Sequence, residues 1–260
     1  VCLAIAGPVV KNRAEMTNLS WKIEKDVLTE ITGAKNVKLL NDLQAQALAL
    51  ETLEGKNIRN LWGPTKPKDN QLKLVSNIGT GFNISLAIPT ETNTIVPPAE
   101  AGHTNLPTRN DLEVEISNFI RSHKGFASIE HILSGNGLVI LNKFFNPKLK
   151  KTSVQIIEDG KRNKQYANQV IDTFVTFMGS VLGDLTLTLL PYGGIFLVGS
   201  VSRAIAPFIK ETTFGKAFCD KGQFSEFARQ FSVNLVLDDL AALNGCTNFL
   251  VSLKPELLSI

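Results

Sequence analysis

The amino-acid sequence predicts an α/β protein, and three observations carry the prediction. The first fifty residues alternate strand-like and helix-like runs, an order that favours parallel strands. Two strand-like runs further on, "LKLVSNI" and "FNISLAI", are joined by Gly79-Thr80-Gly81. A long apolar, helix-periodic stretch, "YANQVIDTFVTFMGSVLGDLTLTLL", then feeds the short strand-like run "GIFLVGS". At 260 residues with 43% hydrophobic side chains, the chain can bury a sizeable core in two lobes or in one large unit.

Taken in order, "CLAIAGPV" is the first strand, ended as a turn by Gly7-Pro8. "MTNLSWKIEKDVLTEITGA" reads as an amphipathic helix on Trp21, Ile23, Val27, Leu28 and Ile31, with Gly33 as its stop. "NVKLL" is a buried strand, and Asn41-Asp42 leads from it into a helix through about Leu53. The Pro- and Lys-rich stretch "GPTKPKDN", residues 63–70, is a loop or a passage between lobes. In the hairpin that follows, Phe82, Ile84, Leu86 and Ile88 alternate with smaller or polar residues, which predicts one buried face.

Residues 111–123 form a helix with Leu112, Ile116, Phe119 and Ile120 on one side. A second helix is expected after "GFAS", capped by Ser128, with Glu130 near its start and its end at the glycines of "LSGNGL". The polar, basic run 142–164 reads as a solvated loop or helix face. The long apolar stretch after it is a core helix, then comes the strand "GIFLVGS" and the helix "VSRAIAPFIKE".

Composition narrows the function classes. A net charge of +3, with Lys and Arg dispersed, argues against a nucleic-acid partner. Cys2, Cys219 and Cys246 lie far apart and form no C-x-x-C pair, which argues against a disulfide framework or structural zinc and fits a reducing compartment. The most apolar stretch, 185–201, is broken by Pro191, Gly193 and Gly194 and reads as two buried elements and a turn, not as a membrane span. The opening "VCLAIAGPV" starts in mid-strand, with no initiator Met, signal or transit segment, and predicts a chain cut from something longer. The expected location is cytoplasmic; a mitochondrion or plastid stays open, because a targeting peptide would lie upstream of Val1.

Three stretches place acidic or imidazole groups at the ends of apolar elements, where loops can present them to a cleft: "NDLQAQ", "PPAEAGHTN" and "SIEHILSG". Each has a plain structural reading. Asp42 suits a helix N-cap. Glu100 and His103 suit a surface pair; their E-x-x-H order occurs in di-iron bundles, but there on a helix, whereas Pro97-Pro98 and Gly102 make a loop here. Glu130 suits the first turn of a helix, on the favourable end of its dipole.

In order and in combination these motifs resemble the bacterial-type glucokinase family. The opening strand, the "MTN...W" segment, the Asn-Asp pair, the G-T-G hairpin, an E-G-G-H-like loop seen here as "AEAGH" and an E-R-V-L-S-G-like segment seen as "EHILSG" follow one another across the chain. The resemblance implies a two-lobed actin-like (ribonuclease H-like) sugar kinase fold around a sugar and ATP cleft. It implies that Asp42 is the catalytic base for the sugar's 6-hydroxyl and that Asn41, Glu100, His103 and Glu130 bind the sugar's hydroxyls. It places Gly79, Thr80 and Gly81 on the phosphates of ATP, and Gly199 and Gly245 on the nucleotide side, with Mg²⁺ accompanying ATP and no metal site of the protein's own. The small lobe is expected at 1–53 plus 243–260 and the large lobe at 54–242.

The sequence also departs from the pattern. The family's D-x-G-G-T-like phosphate loop, in the roughly 55–65 residues that precede the position of Val1, is not present, so the N-terminal part of the small lobe is expected to be missing. G-T-G-L-G becomes "GTGFN", with Asn83 for a glycine; Ala101 stands for a glycine; the adenosine-side Gly-Gly becomes Gly199-Ser200. Two functions are thereby expected, a glucokinase or a non-catalytic sugar-binding or structural subunit of a larger assembly. A homodimer is a further expectation from the family.

Overall fold

Short runs of β-branched and large apolar residues make the strands, and parallel pairing between them needs intervening helices. The computed structural model describes residues 1–16, 19–53 and 55–253. β1 (Cys2–Ile5) pairs in parallel with β5 (Lys38–Asn41). Between them β2 (Val9–Val10), β3 (Arg13–Glu15) and β4 (Lys22–Glu24) form an antiparallel sheet, followed by α1 (Lys25–Thr32). The expected helix around Trp21 is therefore half strand. Ile23 packs on Ala14 and Leu39 from β4, and α1 has no buried residue, with Val27 and Ile31 exposed. Thr17 and Asn18 of that reading lie outside the described residues.

α2 (Asp42–Ala49) follows β5 directly and ends short of Leu53. β6 (Ile58–Trp62), β7 (Lys73–Ile78), β8 (Phe82–Pro89) and β9 (Thr94–Ile95) then join a six-stranded sheet. After them come α3 (Asp111–Lys124), α4 (Gly135–Phe145), α5 (Ser153–Lys161) and α6 (Gln165–Leu189). β10 (Ile195–Val198), α7 (Ser200–Ile205), α8 (Lys216–Phe218), α9 (Ser225–Ala228), β11 (Val233–Val236) and α10 (Ala241–Ser252) complete the order. The sheet runs β6-β11-β10-β7-β8-β9, with β7, β10 and β11 parallel.

The sheet is buried on both faces, because successive strand residues point to opposite sides. Leu74, Ile78, Ile84, Leu197 and Leu235 join the main core with Phe174, Phe177 and Met178 of α6. Val75, Ala87, Phe196, Val198 and Val236 face the other way, onto Leu43, Ala47 and Leu50. The hairpin thus has two buried faces where its alternation predicts one, since small residues such as Ser85 and Ala87 fill the second. α2 is pressed between that face and a further cluster in which Leu40, Ala45 and Leu48 meet Cys246 of α10.

Two local readings are corrected. Glu130 does not start a helix: residues 129–134 form turns, and α4 begins at Gly135 with Ser134 as its cap, accepting the Gly137 N–H at 3.1 Å. The basic run 142–164 is not wholly solvated, because α5 buries Ile156, Ile157 and Asp159. α6 is long and apolar enough to cross a membrane by length and composition, yet 67% of its apolar window is buried inside the protein. The three cysteines are free thiols, but Cys2 and Cys246, distant in sequence, lie side by side where α10 crosses β1. A mutual hydrogen bond and burial push the Cys2 thiol far above its ordinary range.

Candidate functional site

Asn and Asp are near-equal helix caps, and the structure assigns the cap to Asn41. Asn41 Oδ1 accepts the Leu43 N–H at 3.0 Å, and Gln44 Oε1 accepts the Asn41 N–H at 3.1 Å. Asn41 Nδ2 donates to the Gly7 carbonyl at 3.0 Å, tying the β5–α2 junction to the turn after β1. Asp42 is then the first helical residue and not the cap. One of its oxygens accepts the Leu43 N–H at 2.9 Å, and burial raises its pKa above the usual carboxylate value.

A cleft of about 350 Å³ collects the predicted sugar-side residues. Asn41, Asp42 and the turn Ala6–Gly7–Pro8 form one wall; Asn77, Thr80, Gly81, Phe82, Asn83, Glu100, His103 and Glu130 form the rest. The second wall is knitted by hydrogen bonds. Glu130 Oε2 accepts the Phe82 N–H at 3.0 Å, and the Glu130 N–H donates to the Gly102 carbonyl at 2.9 Å. Gly81 allows this approach, because a Cβ there would collide with the Glu130 carboxylate. The G-T-G turn is held in place by Gly135 N–H donating to the Gly79 carbonyl at 2.8 Å. His103 ends a single 3-10 turn, Ala101–His103, and Glu100 precedes it with non-helical backbone, so their E-x-x-H order does not place them on one helix face. His131 closes the Glu130 turn by accepting the Ser128 N–H at 3.1 Å, and burial lowers its pKa.

Such a cleft offers three carboxylates, an imidazole and carboxamides to a polyhydroxyl ligand, which needs both acceptors and donors. The family model for glucokinase matches residues 1–252. The chain belongs to the glucokinase family.

Among similar proteins, the glucokinase of Mesorhizobium japonicum is 32% identical over 99% of this chain and 76% of its own length. A solved glucokinase from an Antarctic psychrotroph is 25% identical with a TM-score of 0.85, over 96% of this chain and 79% of that one. The glucokinase of Balamuthia mandrillaris, solved in complex with glucose, shares the fold at 17% identity and a TM-score of 0.81, over 95% of this chain and 76% of that one. The two-lobed actin-like sugar kinase fold expected from the motifs is thus the fold of the chain's relatives.

In the glucokinase frame the remaining predicted residues divide. Gly199, at φ 95°, ends β10 and lines a second pocket of about 390 Å³ with Ser200, Arg203, Asp238, Asp239 and Ala242. That pocket lies at the carboxyl ends of parallel strands, where open α/β sheets bind ligands. A Cβ at Gly199 would collide with Asn77 Oδ1, and Asn77 also lines the first cleft, so the two pockets adjoin across the ends of β7 and β10. Gly245 lines neither pocket. It lies buried in α10 against the Ala45 carbonyl of α2, where a Cβ would collide, and its position is a helix-packing one.

Sequence reasoning missed Asn77 and treated Asn83 only as a departure. Both were signalled, since each puts a carboxamide into an apolar strand two residues from the G-T-G turn. Ala101 tolerates the place of a glycine because the 3-10 turn needs no positive φ there.

Proposed function

We propose that the protein is a glucose kinase, transferring the γ-phosphoryl group of ATP to the 6-hydroxyl of glucose. The observation that supports this most is the convergence of Asn41, Asp42, Glu100, His103 and Glu130 in one cleft from three separate parts of the chain. Asp42 takes the hydroxyl proton as O6 bonds to phosphorus and ADP departs; a carboxyl raised by burial is a better base for that purpose than an ordinary one. Glu100, His103, Glu130 and Asn41 orient the ring. Thr80 and the backbone of Gly79–Gly81 face the transferred phosphate, and the Gly199 pocket takes the nucleoside. Mg²⁺ enters with ATP as part of the donor substrate.

In this reading the small lobe comprises 1–53 with 243–260 and the large lobe 54–242. The packing of α10 on α2 and β1 supports the return of the C-terminal helix, while 254–260 lie outside the described residues.

The test is ATP-dependent glucose phosphorylation by the natively purified protein beside Asp42→Asn. Turnover falling by about 10²–10⁴-fold in the variant, with glucose affinity within a few-fold, is the expected result. Equal loss of turnover and affinity would remove Asp42 from the base role. A folded protein that binds glucose without turnover would instead be a non-catalytic sugar-binding subunit.

A further inference from the structure

We infer that Asn83 is a positioning residue for sugar recognition, fixing the Glu100 carboxylate and the 99–101 loop at the cleft wall; the inference rests on the reading of that cleft as a hexose site. Three of the four hydrogen bonds of the Asn83 side chain go to this task. Its Nδ2 donates to the Ala99 carbonyl at 2.6 Å and to Glu100 Oε2 at 3.1 Å. Its Oδ1 accepts the Ala101 N–H at 3.1 Å and the Ile84 N–H at 2.8 Å. Two donors and two acceptor sites are all that a carboxamide has.

Glu100 gains most from the arrangement. It is exposed, and its side chain caps no helix. Among the described residues its carboxylate's hydrogen-bond partner is Asn83. An exposed Glu otherwise samples several rotamers, and ordering it at the moment of binding weakens affinity. Asn83 is anchored in β8, two residues past the G-T-G turn, so the strand that presents Thr80 and Gly81 also sets where Glu100 meets the ligand.

The experiment is calorimetric titration of the purified protein with glucose, for wild type, Asn83→Asp, Glu100→Gln and the double variant. Asn83→Asp is nearly isosteric and keeps both acceptor bonds, but it turns a carboxylate oxygen toward Glu100 and the Ala99 carbonyl. Expected is about tenfold weaker glucose binding, with the KM for ATP unchanged. In the Glu100→Gln background the added loss should shrink to about twofold or less, because contacting residues couple. Asn83→Ser, too short to reach Glu100, is the second variant should Asn83→Asp fail to fold, and the same loss is expected. Wild-type affinity in both Asn83 variants would overturn the inference, as would a loss undiminished by Glu100→Gln, which would mean a general loosening of the loop. Wild-type protein that binds no glucose would overturn the hexose reading itself, a result separate from any variant's behaviour.

Discussion

Asn41 and Asp42 divide two tasks at one helix start. Asn41 accepts the orphan N–H of Leu43 and donates its own N–H to Gln44 Oε1, and the carboxylate beside it lines the cleft. The Asn-Asp pair was legible in the sequence, but which residue caps was not, because the two are nearly equivalent caps and only the Gly7 carbonyl favours the amide. Burial raises the Asp42 pKa, so the native state holds its proton more tightly than the unfolded chain. Stability from this group is therefore highest below the unfolded value, near ~3.9, and falls as pH rises through the folded value. At neutral pH the charged carboxylate is a net cost. Asp42→Asn should thus raise Tm at pH 7 while lowering turnover, and the Tm gain should vanish toward pH 3; a variant that melts below wild type at pH 7 would contradict the desolvation argument. For the same reason the acid limb of kcat/KM in the wild type should lie above the ordinary carboxylate pKa, and Asp42→Asn should lose that limb along with its activity.

Elements with one dominant signal were readable, and those set by tertiary contact were not. The length and periodicity of α6 and the paired runs of β7 and β8 identify themselves. The segment around Trp21 has helical spacing, but pairing of β4 with β3 takes it into a sheet, and Trp21 stays exposed. Ser128 and Ser134 are equally plausible caps in sequence. The second caps α4, donating to the Glu130 carbonyl at 2.8 Å, and leaves Glu130 free to bond β8. The α2–α10 crossing is set by Gly245, so Gly245→Ala should destabilise by about 1–3 kcal/mol through overpacking against Ala45. Chemical denaturation should show a lower midpoint with an unchanged slope; an unchanged midpoint would mean that the helices separate without cost. Between α5 and α6, Asp159 receives Lys164 at 2.7 Å and Lys151 at 3.2 Å and accepts the Tyr166 hydroxyl. The Lys164 and Tyr166 bonds hold its carboxyl well below the usual range. A depressed carboxylate stabilises above the unfolded pKa and loses that effect as pH falls through the folded one. Asp159→Asn should therefore melt below wild type at pH 7, with the gap narrowing below about pH 4; a gap constant with pH would exclude the charge as its cause.

At the scale of the whole molecule, the cleft exists only because separate regions of the chain close on one volume. Ala6–Pro8 and Asn41-Asp42 come from the β1–β5 end, and residues 77–83, 100–103 and 130 from the six-stranded sheet and its loops. The order of motifs disclosed the participants, but the hydrogen bonds that join them, Glu130 to Phe82 and Asn83 to Glu100, are long-range and leave no local trace in sequence. A ligand spanning both walls binds only the folded protein and stabilises it by mass action, about 2.7 kcal/mol at a hundredfold excess over Kd. For a chain of this size that corresponds to a Tm rise of about 5–10 °C with glucose. Asp42→Asn should keep most of the rise, because the amide can still hydrogen-bond a hydroxyl. Gly81→Ala should lose most of it, because the added methyl displaces the Glu130 carboxylate and unsettles the sheet-side wall while leaving the main core intact. A full glucose-induced shift in Gly81→Ala would show that Glu130 is not held in place by that close approach, and the hydroxyl contacts would have to be reassigned to Glu100 and His103.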